Sequence, residues 1–142
     1  MPSRRRAREL AFQMLYQWDV GQHPPAHIIA TFLAGQRTEA AEESFARALF
    51  EGAVEIKDEL DRQLRQHTQH WRLERMAAVD RNILRLALYE MLNYPETPPA
   101  VVINEALEIA RRFSARDSVE FVNGILDAIR KSRAASAPAP GP

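Results

Sequence analysis

The sequence predicts an all-α fold built as two packed three-helix bundles. Three observations carry that prediction. Apolar residues recur at helical spacing along most of the chain. No segment alternates apolar and polar residues for long, and no Asn-Gly or Asp-Gly hairpin turn occurs. Prolines and glycines stand between the periodic segments, where helices start and stop.

The elements follow in order. Residues 3–20 form a first helix, with Ser3 as N-cap and Gly21 as its stop. Pro24-Pro25 opens a short second helix over 25–34, closed by Gly35. Residues 40–66 read as one long third helix whose apolar face is Phe45, Leu49, Ala53, Ile56, Leu60 and Leu64. A polar stretch, Gln66 to Arg72, separates the two halves. The fourth helix, 73–93, is apolar nearly all round through Ile83, Leu84, Leu86, Ala87, Leu88, Met91 and Leu92, which is the pattern of a buried central helix. Proline in a first turn loses no intrahelical hydrogen bond, so Pro98-Pro99 starts a fifth helix over 98–113. Its buried side is Val102, Ala106, Ile109 and Phe113. Asp117 and Glu120 have capping-box spacing and start a sixth helix to about residue 132, buried through Val122, Ile125, Leu126 and Ile129. The expected domain is 1–133, with helical halves at about 1–66 and 73–133. The Pro- and Ala-rich tail, 134–142, has nothing to bury and is expected to be disordered.

Composition narrows the function. The chain has 142 residues, 46% apolar and 27% charged, with no cysteine. That excludes disulfides, thiolate zinc sites and cysteine nucleophiles. No apolar run approaches the ~18 residues of a membrane span. Arg-rich but without an uninterrupted apolar stretch, the first 20 residues do not read as a signal peptide, and Glu9 and Asp19 argue against a transit peptide. A cytoplasmic protein fits these facts. The formal net charge is zero, yet residues 1–8 hold Arg4, Arg5, Arg6 and Arg8 and no acid. A neutral body with a basic tip is a dipole, which leaves nucleic acid open as a partner.

The first helix carries the sharpest signal. At about 100° per residue, Ala7, Leu10, Ala11, Met14, Leu15 and Trp18 share one face. Arg5, Arg8, Phe12 and Tyr16 share the adjoining one, with Arg4 at its edge. Guanidinium forks pair with phosphates, and aromatic rings stack on unpaired bases. This combination suits single-stranded nucleic acid. A solvated arginine end with Phe12 in the core is the alternative. His23 and His27, and His67 and His70, lack a third ligand and read as loop histidines rather than a metal site. Asp58, Glu59 and Asp61 with Arg62 and Arg65 read as a solvated ion-pair face. No nucleophile motif, phosphate loop or dinucleotide fingerprint occurs, so no catalysis and no cofactor are expected. Gly124 within a helix costs about 1 kcal/mol against alanine, and close approach of another helix is the expected reason.

These residues taken together resemble the NusB family of bacterial transcription antitermination factors. The opening R-R-R-A-R-E-L-A-F-Q-M-L-Y-Q-W-D, residues 4–19, is similar to that family's first helix. D-R-N-I-L-R-L-A-L-Y-E-M-L, residues 80–92, resembles its central helix. I-N-E-A-L-E-I-A, residues 103–110, and D-S-V-E-F-V-N-G-I-L-D, residues 117–127, resemble its last two. The second helix and the segment Gln63–Trp71 diverge. The resemblance implies an all-helical, non-enzymatic protein that binds boxA RNA, single-stranded, in nascent ribosomal RNA transcripts. It implies NusE, a small-subunit ribosomal protein, as partner, and a larger Nus assembly on RNA polymerase that suppresses termination. By resemblance, Arg4, Arg5, Arg6 and Arg8 match the arginine-rich RNA-binding motif. Tyr16, Asp117 and Phe121 match positions along the RNA surface, and Glu74 and Asp80 match acidic positions facing NusE. Some relatives form a homodimer through the RNA surface, and others are monomers. The same module also precedes the catalytic domain of some ribosomal RNA cytosine methyltransferases. With no Gly-rich methyl-donor site here, a complete methyltransferase is not expected. A helical protein–protein adaptor without RNA contact is the alternative of a different class.

Overall fold

The computed structural model describes residues 3–68 and 72–136. Among them are seven α-helices and no strand: α1 (Arg4–Gly21), α2 (Pro25–Thr31), α3 (Ala40–Glu55), α4 (Lys57–Arg65), α5 (Ala78–Asn93), α6 (Pro99–Phe113) and α7 (Arg116–Ser136). The all-helical expectation holds. No helix of the described residues is long and apolar enough to cross a membrane.

Helix α1 starts as expected. Ser3 is extended, and its hydroxyl accepts the Arg6 N–H at 3.2 Å. The stop lies one residue later than expected. Gln22, not Gly21, takes the left-handed conformation at φ 57°, and its N–H closes on the Trp18 carbonyl. The second segment is shorter than expected, with α2 giving way to a 3₁₀ turn at Leu33–Gly35.

The single third helix is corrected to two. Ile56, at φ −108° and ψ 25°, leaves the helical region, and its N–H is shared between the Gly52 and Val54 carbonyls. Gly52, Val54 and Ile56 all lower local helix propensity. The break turns α4 onto α5, where Leu60 and Leu64 are buried. Likewise, the fourth segment divides into a 3₁₀ turn at Leu73–Arg75 and α5. Helix α7 begins at Arg116, so Asp117 is a first-turn acid rather than the cap. It also runs through residues 134–136, which were expected to be disordered; alanine is the best helix former, and two of the three are alanine. The rest of the tail, 137–142, lies outside the described residues.

Helix α5 is the centre of the molecule. It packs against α1, α3, α4, α6 and α7. Ile83, Leu84, Leu86, Ala87, Leu88 and Met91 are buried, as its all-round apolar character predicts. It also buries Asp80, Asn82, Arg85 and Glu90. Buried charge is tolerated when paired, and among the described residues no buried side-chain N or O lacks a hydrogen-bond partner.

Gly124 corrects the packing expectation. It is exposed, and a Cβ built there meets nothing within 4 Å. The close approach is at Gly52 instead, where a Cβ would lie 1.9 Å from the Tyr89 hydroxyl oxygen. Two opposite shifts in the denaturant midpoint follow. Gly124→Ala is expected to raise it by up to ~1 kcal/mol of stability through helix propensity. Gly52→Ala must push the Tyr89 ring aside and is expected to lower it, by the ~1–3 kcal/mol typical of overpacking. A midpoint that moves the same way in both variants would contradict this placement.

Candidate nucleic-acid interface

The four N-terminal arginines do not form one stripe. They leave α1 in different directions, because successive helical residues are turned by about 100°. Exposed Arg4 lays its guanidinium over the Phe45 ring, 4.2 Å from the centroid. Arg5, also exposed, forks onto Glu105 of α6 at 3.0 and 3.1 Å. The hydrogen bond to Glu105 and the charge of that carboxylate raise the Arg5 pKa above its ordinary value. Arg6 reaches Gln36 at 3.3 Å. Arg8 is buried and forks onto Glu90 of α5 at 2.8 and 2.6 Å. Its expected place on an exposed face is therefore corrected: both carboxylate oxygens of a buried glutamate already occupy it. Phe12 is core as well, at 2% exposure. One signal for the Arg8 pair was present in the sequence. Glu90 is a lone acid inside the most apolar helix and needed a buried cation.

Along the seam of α1 and α6 runs a strip of alternating charge that ends in aromatic rings. Arg5 pairs with Glu105, and Arg112 pairs with Glu9 at 2.5 Å. Beyond them the Phe12 and Phe113 rings lie 5.3 Å apart, and Phe12 and Tyr16 lie 6.5 Å apart. Tyr16 is exposed, as its spacing predicts. Phe12, Gln13, Tyr16, Gln17, Val79 and Phe113 line a depression of about 240 Å³.

A second depression, about 390 Å³, is lined by Arg75, Met76, Ala77, Asp80, Asp117, Ser118 and Phe121. It brings Asp80, Asp117 and Phe121 together, three residues that the sequence assigned to two different partners. Val79 and Asp80 are neighbours in the chain and line one depression each. Asp80 is buried, and its carboxylate accepts from the Ser114 and Ser118 hydroxyls, each at 3.1 Å. Asp117 is exposed and Phe121 half-buried. Glu74 lies elsewhere, exposed, and pairs with Arg65 at 2.5 Å. The hydrogen bond from Arg65 lowers the Glu74 pKa. Glu74 lines a polar depression with Asp19, Lys57, Asp61, Arg81 and Arg85, so it does not share a patch with Asp80.

The acid-rich segment of α4 divides in two. Glu59 is a surface acid held by Arg62 and Gln63, whose hydrogen bonds draw its carboxyl down to about 2. Asp61 corrects the solvated-face expectation. It is 1% exposed and takes a fork from Arg85 at 2.8 and 3.0 Å. Asp19 and Asn82 complete that cluster. Asp19 accepts from Arg81 and Asn82, each at 2.9 Å. The His23 and His27 rings lie 4.9 Å apart, and His70 lies outside the described residues. No group of three or more His, Cys, Asp or Glu suited to a metal occurs among the described residues.

Comparison with known proteins gives one consistent result. The sequence model of the NusB family matches residues 5–131. The transcription antitermination protein NusB of Koribacter versatilis is 52% identical over 131 residues, covering 91% of this chain and 89% of its own. A solved structure of T. maritima NusB superposes with a TM-score of 0.86 at 36% identity, over 92% of this chain and 93% of that one. A crystal structure of the antitermination factors NusB and NusE in complex with double-stranded RNA superposes at 0.83 and 27% identity, over 91% and 96% of the two chains. Matched from its first helix to its last by sequence and by fold alike, the chain belongs to the NusB family.

Proposed function

We propose that the protein is a transcription antitermination factor. It binds boxA-type single-stranded RNA in nascent ribosomal RNA transcripts together with NusE, and acts in the cytoplasm within a larger Nus assembly on RNA polymerase. The observation that supports this most is the exposed strip in which the arginines of α1 and α6 lead to Tyr16. Arginine forks suit phosphates, and an open tyrosine face suits an unpaired base. The NusB–NusE–RNA complex, similar in fold to this chain, adds support.

In this reading Arg4, Arg5 and Arg6 meet phosphates. Tyr16 stacks on a base, with Asp117 and Phe121 further along the same surface. Arg8 contributes by fixing α1 to α5 through Glu90. Asp80 and Glu74 offer carboxylates to basic side chains of NusE at two separate points. Few phosphates are within reach of so small a basic cluster, so NusE is expected to lengthen the surface and tighten RNA binding. By linkage, RNA must tighten the NusE contact by the same factor. The division at about 66–73 into two helical halves belongs to the same proposal.

Arg5→Ala is expected to lower the slope of log affinity against log salt by about 0.7, the value for one phosphate on a single strand. Glu105→Gln should do the reverse, because it frees the Arg5 guanidinium. RNA titrations of both variants across salt concentrations, with and without NusE, check this. The internal pairing of Arg5, Arg8 and Arg112 with glutamates favours one competing reading, a helical adaptor without RNA contact. That reading predicts no salt-dependent RNA affinity in either variant or in the unsubstituted protein.

A further inference from the structure

We infer that the depression between Tyr16 and Phe113 is a seat for a single unpaired nucleobase, and that Gln13 and Gln17 read its hydrogen-bonding edge. The inference rests on the RNA-binding reading above and adds a base-reading site to it. Its size fits one flat ring. At about 240 Å³ the depression falls below the ~300–1,000 Å³ of sites that enclose a whole drug-sized ligand. The chemistry of the walls is divided. Phe12, Val79 and Phe113 make an apolar floor, and the exposed Tyr16 forms one side. Gln13 and Gln17 sit one turn apart on α1 and both line the opening. Neither amide makes a side-chain hydrogen bond within the described residues, whereas Gln36 and Gln63 on the same molecule are both bonded.

An amide carries a donor and an acceptor side by side, which is the pattern needed to grip the edge of a base. A base splayed out of a single strand exposes that edge while its face stacks on an aromatic ring. Charge complementarity favours a nucleotide over an apolar protein side chain. The Arg112 guanidinium lies 5.3 Å from the Phe113 ring centroid with its side chain 61% exposed, and Glu9 holds only one side of it. It stands where the phosphate of a seated nucleotide would pass. Arg5 lies about 10 Å back along α1 from Phe12, so the strand would run from Arg5 past Arg112 into the depression.

The test uses the full chain, alone and with NusE, and ten-nucleotide RNAs of uridine, cytidine or adenosine. A uridine decamer containing 4-thiouridine adds a photocrosslink. The crosslink is expected at Tyr16 or Phe113. Gln13→Ala/Gln17→Ala is expected to change the ratio of affinities among the three decamers by about fivefold or more, the scale of a bidentate base contact. Its salt slope should stay unchanged, since no phosphate contact is removed. Both glutamines are on the surface, and alanine favours helix, so the variant keeps the fold. If the unsubstituted chain binds RNA but crosslinks only elsewhere, and the ratios survive the double substitution, the base seat is overturned while the RNA reading stands. If no decamer binds with or without NusE, both fall. A dimer in sedimentation that Tyr16→Ala dissolves would assign the depression to a second copy and overturn the inference as well.

Discussion

Arg8→Ala is expected to lower the unfolding free energy by about 3–5 kcal/mol, the cost of leaving one member of a buried ion pair alone. The Arg8 and Glu90 side chains are 7% and 2% exposed, so water cannot replace the lost guanidinium. Glu90 would then have to be protonated or dragged toward solvent from the middle of α5. The double substitution Arg8→Met/Glu90→Leu is the informative contrast. It removes both charges and leaves apolar volume, and for such replacements stability is often unchanged or raised by 1–4 kcal/mol. Denaturant titrations of the two variants check both halves. The double variant also separates structure from RNA contact: with the fold intact, its RNA affinity and salt slope should match those of the unsubstituted protein. A reduced slope would mean that Arg8 reaches a phosphate directly.

Asp61→Ala should be destabilising on the same scale, about 3–5 kcal/mol. Asp61 takes the Arg85 fork and lies 3.3 Å from Lys57. Without it, Arg85 keeps Asp19 at 3.2 Å and the Asn82 carbonyl at 3.1 Å. These two are the reason to expect the lower end of the range. Asp19 makes the cluster sensitive to acid. Burial pushes its carboxyl up, but hydrogen bonds from Asn82 and Arg81 and the charge of Arg85 outweigh burial and hold it below the ordinary 3.8. Its folded value is thus below its unfolded one. The stabilisation is fully present above about pH 4 and is lost as pH falls through the folded value. Melting temperatures measured from pH 6 downward should drop below about pH 4, and Asp19→Asn should flatten that part of the drop. An unaltered acid profile in Asp19→Asn would show that the cluster does not carry it.

Sequence periodicity was a good guide to which way a residue points and a poor one to what it meets. Leu10, Met14 and Leu15 on α1, and Ile83, Leu84 and Leu88 on α5, are buried as their spacing requires. The Ser3 cap is equally local and equally legible. Arg8 with Glu90, Arg5 with Glu105 and Asp61 with Arg85 are separated by 82, 100 and 24 residues. No helical period reports such pairings, and so an arginine stripe drawn on one helix dissolved when α5 and α6 supplied carboxylates. The break at Ile56 was hidden for a related reason. The apolar positions on either side of it keep helical spacing although the axis turns. Gly124 was misjudged because a propensity cost was assumed to have a packing cause.

The long-range pairing of α1 also bears on how the chain is made. Helix α1 is the first to leave the ribosome, yet Glu90, Glu105 and Arg112, which neutralise Arg8, Arg5 and Glu9, are translated some 80–100 residues later. At about 5–20 residues per second, the arginine-rich end waits on the order of 4–20 s without its carboxylates. During that interval it is a bare cationic peptide beside the anionic ribosome surface. A chain released before α6 would keep that character. The glutamates of α5 and α6 therefore mark the moment at which the nascent chain changes from a general polyanion binder into a selective one.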